Sequence, residues 1–446
     1  MLVINMHKNI LTVVGITILF LGTCITPLSA VDNVKKSVIP FSDGNIFYVG
    51  GTGPGNYTRI QSAVNDANPG DTVFVYNGTY YETVYIDKND ITLLGEDKNI
   101  TIIDGIGSQQ TIRIYNQNNV QGGKISGFTI FNCSKSLPNM RTIHLSADYY
   151  EISDNIIIAN KATNWETAQA ILIMGYHNII FKNTIYGSKI GIETNHCHNN
   201  SISENIINNN VYGIYNDNSA KNTITNNIFY ENSYCIYFDN PEYNVINNNE
   251  FYNNNVVLLF EHVSMYNIIQ NNIFSNNYIC ISNDRTGSTR NLIYFSLIKN
   301  NTFHDNYYGI LLREFNGHNN ITYNIFYDNY CGISLEYTIL HNSITYNIFY
   351  NNYYGVSLYN VNLCFIICFS NIIKNNDFYK NNTFQAFFNI SPIFDYKFPI
   401  VFNNLWTKNY WGTSEIILHR ISGKLNNKYV ITYDFLPRNT PNRPLE

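Results

Sequence analysis

Acidic side chains recur at a near-constant interval through the middle of the chain. The members of this series are Asp217, Asp239, Glu261 and Asp284. If the interval is one turn of a repeating structure, the carboxylates form a column in which neighbours lie about 5 Å apart. Two carboxylates at about 5 Å are the pair of a retaining glycosidase, and like charges that close raise the pKa of at least one of them.

Other polar residues share the phase of this column. Tyr215 and Tyr237 each lie two residues before a carboxylate of the column. Glu193 occupies the position of these tyrosines one repeat earlier. Should the protein be an enzyme, the predicted catalytic residues are Glu193, Asp217 and Asp239. The predicted substrate-binding residues are His144, Tyr215, Tyr237, Glu261 and Arg313. Flat tyrosine rings can stack on sugar rings, while carboxylates accept hydrogen bonds from hydroxyl groups.

The same column also suits a cation, because Ca²⁺ prefers clustered carboxylate oxygens. The predicted ligands of this possible calcium site are Asp217, Asp239, Glu261 and Asp284. Calcium-assisted elimination on an acidic polysaccharide would need a basic residue beside the metal, and Arg313 is the candidate within the column. No feature of the sequence requires a cofactor.

A repeat of nearly constant length, extended in some units by an insertion, positions these groups. Taking one Asn of each unit as position zero, the units start at Asn155, Asn183, Asn205, Asn227, Asn249, Asn272, Asn301, Asn324, Asn347 and Asn376. Position −3 is Ile and position +2 is Ile or Phe in every one of these units. One unit is too short to bury its own apolar face, so the repeat predicts a solenoid in which neighbouring units stack.

Isolated apolar residues between polar ones have the two-residue period of half-buried strands. Asn tolerates left-handed backbone conformations, so we place the repeated Asn residues at corners, with their amides forming ladders between coils. The predicted fold is all-β: a single-stranded right-handed parallel β-helix, a solenoid of about 12 coils with three short strands per coil. With position +9 pointing inward, positions +10 and +12 form an outward face that carries Glu193 and Asp217.

Open strand edges invite aggregation, so both ends of a solenoid need covers. Thr58-Arg59-Ile60-Gln61 has the spacing of a helix capping box, and the apolar residues that follow predict a short N-terminal capping helix. At the other end, Asn403-Asn404-Leu405-Trp406 resumes the repeat phase after the unit of Asn376.

Net charge and the N-terminal sequence indicate which partners and which location the protein has. The net charge of −5, without a basic stripe, argues against nucleic acid as a partner. Residues 1–30 have the pattern of a signal peptide, with an uncleaved anchor as the alternative, and no second apolar run of membrane-spanning length follows. We therefore expect a secreted or cell-surface protein in contact with the cell envelope. The predicted segments are 1–30 (signal peptide or anchor), 31–45 (linker), 46–110 (N-terminal cap and first coils), 111–390 (repeats) and 391–446 (last coil and C-terminal cap).

Residues 46–412 resemble a known group of β-helix proteins. The motifs that carry the resemblance are Tyr48-Val49-Gly50-Gly51, Gly70-Asp71-Thr72-Val73, Gly78-Thr79-Tyr80, Ile125-Ser126-Gly127-Phe128 and Asn409-Tyr410-Trp411-Gly412. This series is similar to the pectin-lyase-like superfamily, especially its NosD-like and archaeal surface β-helix members. The resemblance implies the fold, but not one activity, because the superfamily includes lyases, hydrolases, epimerases and non-catalytic binders. His196 and His198 flank Cys197, yet no Met or His cluster recurs, so copper delivery is not predicted.

Three functions stay open from the sequence. The first is non-catalytic binding of extracellular or cell-surface polysaccharide through the tyrosine and carboxylate face. The second is polysaccharide lyase or glycoside hydrolase activity that uses the outward carboxylates. The third is a structural envelope component, since duplication of a unit produces columns of similar residues without any selection for binding. Whether the protein is an enzyme is therefore not decided by its residues alone.

Overall fold

The structure is a computed structural model that describes residues 44–115, 120–133, 140–159, 168–283, 291–313, 316–336, 339–361, 371–381, 384–391, 405–411, 418–425, 428–435, 437–438 and 440–442. The predicted signal peptide or anchor and most of the predicted linker lie outside the described residues. Within the described ranges, no helix is long and apolar enough to cross a membrane.

Equivalent strands of successive coils pair in parallel and form three long sheets, which confirms the predicted β-helix with three strands per coil. Sheet 1 consists of Val84–Ile86, Gln110–Ile114, Met140–Leu145, Ala168–Ile173, Ile190–Asn195, Tyr212–Asp217, Tyr234–Asp239, Val256–Glu261, Ile279–Ser282, Tyr308–Arg313, Cys331–Glu336, Tyr354–Val361, Phe384–Ser391 and Leu418–Leu425. Sheet 2 consists of Ile46–Val49, Thr72–Val75, Thr92–Gly95, Lys124–Ser126, Glu151–Ser153, Ile179–Phe181, Ser201–Ser203, Thr223–Thr225, Val245–Asn247, Ile268–Gln270, Leu297–Lys299, Asn320–Thr322, Ser343–Thr345, Ile372–Lys374, Leu405–Thr407 and Lys428–Phe435.

Sheet 3 has 13 strands, which agrees with the predicted number of coils. They are Gly78–Tyr81, Thr101–Ser108, Thr129–Cys133, Ile156–Ile158, Thr184–Tyr186, Ile206–Asn208, Ile228–Tyr230, Glu250–Tyr252, Ile273–Ser275, Thr302–His304, Ile325–Tyr327, Ile348–Tyr350 and Asp377–Tyr379. Four coils add a short strand to a fourth sheet, made of Val263–Met265, Leu292–Tyr294, Asn316–Gly317 and Ile339–Leu340. The repeat did not predict this additional sheet.

The apolar columns of the repeat fill the interior in vertical register. Ile202 pairs with Ile224 and Ile224 with Ile246, so equivalent residues of successive units lie in adjacent strands. The position +2 column is continuous from Phe229 through Phe378 to Trp411, and its successive rings stack at centroid distances of 4.5 to 5.0 Å. Burial of these side chains supplies the driving force that a single coil lacks.

The repeated Asn side chains form hydrogen-bonded ladders along the solenoid, as predicted. Asn227 Oδ1 accepts hydrogen bonds from the backbone N–H (2.9 Å) and the Nδ2 amide (3.0 Å) of Asn205. Asn227 itself donates in the same way to Asn249 Oδ1. Its Nδ2 group also donates to the carbonyl oxygen of Ile202 at 2.9 Å. Each ladder Asn therefore satisfies buried backbone groups at a corner that the strands leave unpaired.

The prediction that the ladder Asn residues take the left-handed conformation is wrong by one position. Near Asn227, for example, Lys221, Asn226 and Glu231 have positive φ, and each directly precedes a ladder Asn (Asn222, Asn227 and Asn232). The left-handed residue turns the chain while its side chain faces solvent, so many residue types occur there. The following Asn points inward and must bond, which fixes its identity.

A short helix, α1 (Ile60–Asp66), covers the first coil with Ile60, Ala63 and Val64 buried, as predicted. The predicted capping box is wrong, because the N-cap residue is Arg59 and no side chain of the N-cap bonds the helix. Glu82, from the next turn of chain, accepts hydrogen bonds from the N–H groups of Ile60 (2.8 Å) and Gln61 (3.1 Å) instead. A carboxylate at this position also complements the helix dipole.

The C-terminal end is closed by an antiparallel hairpin of Leu418–Leu425 and Lys428–Phe435. The predicted phase of the last coil is wrong: the ladder continues from Asn376 to Asn409, not to Asn404, and Trp406 pairs with Ile373. A longer insertion between the last two coils causes this shift. Residues 403 and 404 lie outside the described part of the chain.

Candidate functional site

The outer face of sheet 1 carries two parallel columns of side chains. The central column runs, strand by strand, through Arg113, His144, Leu172, Glu193, Tyr215 and Tyr237. The carboxylate column beside it runs through Asn195, Asp217, Asp239 and Glu261. The sequence prediction of two outward columns is therefore matched by the strand register, and most of the predicted site residues lie on this one face.

Glu193 is the most enclosed of the predicted catalytic residues, with 8% of its surface exposed. Gln169 Nε2 donates a hydrogen bond to its carboxyl group, and Asn195 Nδ2 donates another at 3.1 Å. Burial raises the pKa of Glu193 above the usual carboxyl value, although these two amide donors act in the opposite direction. The site thus contains a carboxyl group that its surroundings hold closer to protonation.

Asn195 connects Glu193 with the carboxylate column. Its Nδ2 amide also donates to Asp217 Oδ2 at 2.9 Å, so one amide bridges the two acidic side chains. Asp217 accepts a second hydrogen bond from Asn218 at 2.6 Å. Two of the three predicted catalytic residues, Glu193 and Asp217, are therefore neighbours held in place by amide groups.

The next two carboxylates each have a partner of their own. Asp239 Oδ1 lies 2.6 Å from His262 Nδ1, a contact that becomes an ion pair when the histidine is protonated. Glu261 accepts a hydrogen bond from the hydroxyl group of Tyr237. Like charges one strand apart would repel, and these neutral or cationic partners reduce that repulsion.

The predicted sugar-stacking tyrosines are packed against each other. The rings of Tyr215 and Tyr237 stack at 4.8 Å with an interplanar angle of 12°. Tyr237 is only 2% exposed and belongs to an apolar cluster on the outer face with Val256 and Leu259. Its ring has no free face for a sugar, so the stacking role predicted for Tyr237 does not fit the geometry. Burial also raises the pKa of Tyr215 above the usual tyrosine value.

At the other end of the face, the early strands bring together two arginines that the sequence prediction missed. Arg113 is the register partner of His144 in the central column, and Arg141 lies on the strand of His144. Arg141 Nε donates to Gln169 Oε1 at 3.0 Å, and Gln169 in turn donates to Glu193. The signal that could have found them is the alternation of Ile112, Ile143 and their neighbours, which continues the sheet 1 pattern before the first regular unit.

His144 is 7% exposed, and the positive charges of both arginines act on its imidazole. Burial lowers the pKa of His144 to about 4, and the charges of Arg141 and Arg113 act in the same direction. The imidazole is therefore neutral at physiological pH. Its Nε2 atom lies 2.9 Å from Ser146 Oγ, and its buried Nδ1 atom has no hydrogen-bond partner in the described part of the chain.

Arg313 lies apart from the rest of the predicted site, several coils further along. Its Nε donates to Glu336 Oε2 at 2.7 Å, an ion pair between adjacent strands. This contact assigns Arg313 a partner within the protein rather than a place beside Asp217. Asp284, the last predicted calcium ligand, lies outside the described residues. Across the described ranges, no group of three or more His, Cys, Asp or Glu side chains could hold a metal ion, and the calcium site stays a prediction.

The sequence matches two family models over most of these coils. The family described as "Periplasmic copper-binding protein (NosD)" matches residues 64–262 and 142–296. The family described as "Right handed beta helix region" matches residues 294–387. The NosD match spans more than half of the chain. The chain belongs to the NosD family. None of the curated proteins matches it.

Several solved structures are similar to this NosD-family chain. A DFA-IIIase from Arthrobacter chlorophenolicus A6, without its lid and in complex with GF2, has a TM-score of 0.50 and 14% identity, over 68% of this chain and 94% of that one. The mannuronan C-5 epimerase A-module of Azotobacter vinelandii has a TM-score of 0.49 and 16% identity, over 73% of this chain and 90% of that one. At such identities the likeness extends to the fold alone.

The donor groups near Cys197 do not fit the copper site that the family description implies. Cys197 is buried, and its Sγ atom already contacts Asn200 Nδ2 at 3.2 Å and Ser219 Oγ at 3.7 Å. His198 Nδ1 accepts a hydrogen bond from the N–H of Ala220 at 3.2 Å. With no cluster of metal-ligating side chains among the described residues, nothing in this part of the chain supplies a copper centre.

Proposed function

We propose that this NosD-family protein binds a saccharide chain along the outer face of sheet 1, outside the cytoplasm. The observation that carries the proposal is the bridge from Glu193 through Asn195 to Asp217, which lines the face with fixed amide and carboxylate groups. Oriented acceptors and donors of this kind are what hydroxyl-rich ligands need, because each sugar hydroxyl both donates and accepts.

The location outside the cytoplasm has two supports. Residues 1–30 have the pattern of an exported leader. The family description also names a periplasmic protein. An exported binding protein meets polysaccharide of the cell envelope or the surroundings, which fits the chemistry of the face.

A glycan array tests the proposal with three proteins: the parent, Asp217→Asn and Glu250→Gln. Asp217→Asn keeps the shape of the side chain but removes its charge and one of its two acceptor oxygens. We therefore expect at least a tenfold loss of affinity for the bound glycan. Glu250 is an exposed carboxylate on sheet 3, so its variant is the matched control and should bind like the parent. Folded parent protein that binds no glycan would contradict the proposal. Retention in washed cell envelopes would then favour a structural role.

Catalysis is the second candidate function, and the raised pKa of Glu193 beside Asp217 is the observation that favours it. A carboxyl group whose pKa is raised by burial is suited to act as a general acid. The test is to incubate the bound polysaccharide with parent and Glu193→Gln protein and to measure reducing ends and unsaturated products. Loss of product with unchanged glycan affinity would establish an enzyme. Absence of product from the parent, or product that Glu193→Gln forms at the parent rate, would exclude this role for Glu193.

A further inference from the structure

Two guanidinium groups lie on adjacent strands of the outer face without a carboxylate in contact. In the described part of the chain, neither Arg113 nor Arg141 takes part in a salt bridge, whereas Arg313 on the same sheet is paired with Glu336. Both arginines are partly buried. A partly buried cation without a counterion is destabilising, and two of them close together are more so.

The surroundings of Arg113 hold its side chain without neutralising it. Its guanidinium carbon lies 4.3 Å from the centre of the Tyr115 ring and 5.9 Å from that of Tyr85, so the group is flanked by aromatic rings. Its Nε atom is buried and has no hydrogen-bond partner among the described residues. The planar group is therefore oriented by its neighbours and keeps unused donors, a combination that suits recognition of a planar anion.

His144 adds a third unused group to the same patch. It is the register partner of Arg113, and its Nδ1 atom is buried and, among the described residues, unpartnered, while Nε2 contacts Ser146. A buried polar atom left without a partner is unfavourable unless a ligand completes it. Two guanidinium groups without a counterion and one imidazole nitrogen without a hydrogen-bond partner among the described residues thus lie together on one small area of sheet 1.

This patch is continuous with the proposed saccharide face. Gln169 connects the two, because it accepts from Arg141 Nε at 3.0 Å and donates to Glu193. One ligand lying along the face would therefore contact the arginines at one end and the carboxylates at the other. The face is positively charged at the arginine end and negatively charged at the carboxylate end. A neutral glycan would leave the positive charges of the arginines without a counterion.

We infer that Arg113, Arg141 and His144 form an anion subsite, and that the saccharide bound by this protein carries acidic substituents, either carboxylates of uronic acids or sulfate esters. The inference rests on the proposed function, since it names the class of saccharide that the face takes. The guanidinium groups bind the acidic substituent, and the sugar hydroxyls of the following residues meet Glu193 and Asp217.

The test compares ligands that differ only in charge. Affinities of the parent protein are measured by isothermal titration calorimetry for polygalacturonate and its fully methyl-esterified form, and for a sulfated glucan and the unsulfated glucan. The first variant replaces both arginines (Arg113→Gln with Arg141→Gln), and the second, Arg141→Lys, preserves the charge. The control is Lys221→Gln, which removes an exposed positive charge at a corner away from this face. Far-ultraviolet circular dichroism checks that each variant folds, and Arg113→Gln alone serves if the double variant does not.

We expect the parent to bind one charged polymer at least tenfold more tightly than its uncharged counterpart, and this preference to fall as salt rises. The double variant should lose the preference but keep the weaker affinity for the uncharged polymer. Arg141→Lys and Lys221→Gln should retain the preference. Whichever pair shows the effect identifies the acidic group as carboxylate or sulfate.

Two results would overturn the inference, and they differ in meaning. Equal affinity for charged and uncharged polymers, or a preference that survives in the double variant, would remove the anion subsite and leave saccharide binding intact. No affinity of the folded parent for any of the four polymers, together with an empty glycan array, would remove the proposed function as well.

Discussion

The carboxylate of Asp434 accepts hydrogen bonds from both the backbone N–H (3.1 Å) and the side-chain amide (2.8 Å) of Asn409. Within the ladder, as at Asn205, those two donors meet the Oδ1 atom of the next Asn. Asp434 thus provides the oxygen that an Asn of a further coil would provide, and Trp411 Nε1 donates to the same atom at 2.9 Å. A residue of the closing hairpin therefore terminates the ladder.

Replacement of Asp434 by Ala should lower the free energy of unfolding by about 2–5 kcal/mol, because several buried donors lose their acceptor. Asp434→Asn should lower it less, since an amide oxygen remains available to Asn409. Chemical unfolding followed by tryptophan fluorescence measures both, and Trp411 reports directly on the affected end. Equal stability of the Ala variant and the parent would show that the ladder needs no terminal acceptor.

Adjacent asparagines in one corner should respond differently to substitution. Asn227→Ala leaves the amide groups of Asn205 and the carbonyl of Ile202 without these partners. We expect a loss of at least about 3 kcal/mol in unfolding free energy, because the groups left behind are buried. Asn226 has positive φ and faces solvent, so it should tolerate Gly with little change. Thermal unfolding midpoints of the two variants check this, and similar losses for Asn226→Gly and Asn227→Ala would contradict the separate roles.

The interior and the ladders were predictable because each of their residues packs against, or forms a hydrogen bond with, the equivalent residue of the next coil. This contact requires the same or a similar residue type in every unit. The left-handed corners were misplaced by one residue because their side chains face solvent, so Lys221 and Glu231 serve as well as Asn226. The last coil was misplaced because an insertion of different length precedes it. Spacing alone could not distinguish Asn404 from Asn409 as the continuation of the ladder.

The candidate site was predictable only where the units are regular. Glu193, Asp217 and Asp239 lie in units that begin with a ladder Asn, so their outward positions could be counted from it. Arg113 precedes the first such Asn, and the early strands follow one another at unequal intervals in the sequence, so its register with His144 emerged only from strand pairing. Contacts within the face, such as Tyr237 with Glu261, depend on side-chain conformations that a repeat does not specify.

The capping helix should depend on Glu82 and not on Thr58. Glu82→Ala removes the acceptor of two N–H groups at the first turn of α1. Loss of a helix cap of this kind should lower the free energy of unfolding by about 1 kcal/mol. Thr58→Ala should leave stability unchanged, because the helix begins without a side-chain cap from its own segment. Thermal unfolding of the two variants measures the difference, and a larger loss for Thr58→Ala than for Glu82→Ala would restore the capping box.

Acid should destabilise the protein partly through His144. Its pKa is lowered to about 4 in the folded state, because burial and the charges of Arg141 and Arg113 disfavour the imidazolium. In the unfolded chain the group titrates near its ordinary value of 6.5, so the unfolded state binds more protons as pH falls. The stabilisation is complete above about pH 6.5 and is lost progressively towards about pH 4, with a contribution of at most about 3 kcal/mol.

The variant His144→Gln isolates this contribution, because it keeps a polar side chain that does not titrate. Its free energy of unfolding should fall less steeply than that of the parent as pH is lowered from neutrality towards the folded-state pKa of His144, as measured by chemical unfolding at several pH values. His196→Gln, at an exposed corner, is the matched control and should follow the slope of the parent. Parallel curves for the parent and His144→Gln would mean that His144 titrates alike in the folded and unfolded chains. The histidine would then be open to solvent in the folded protein, contrary to its burial beside Arg113 and Arg141.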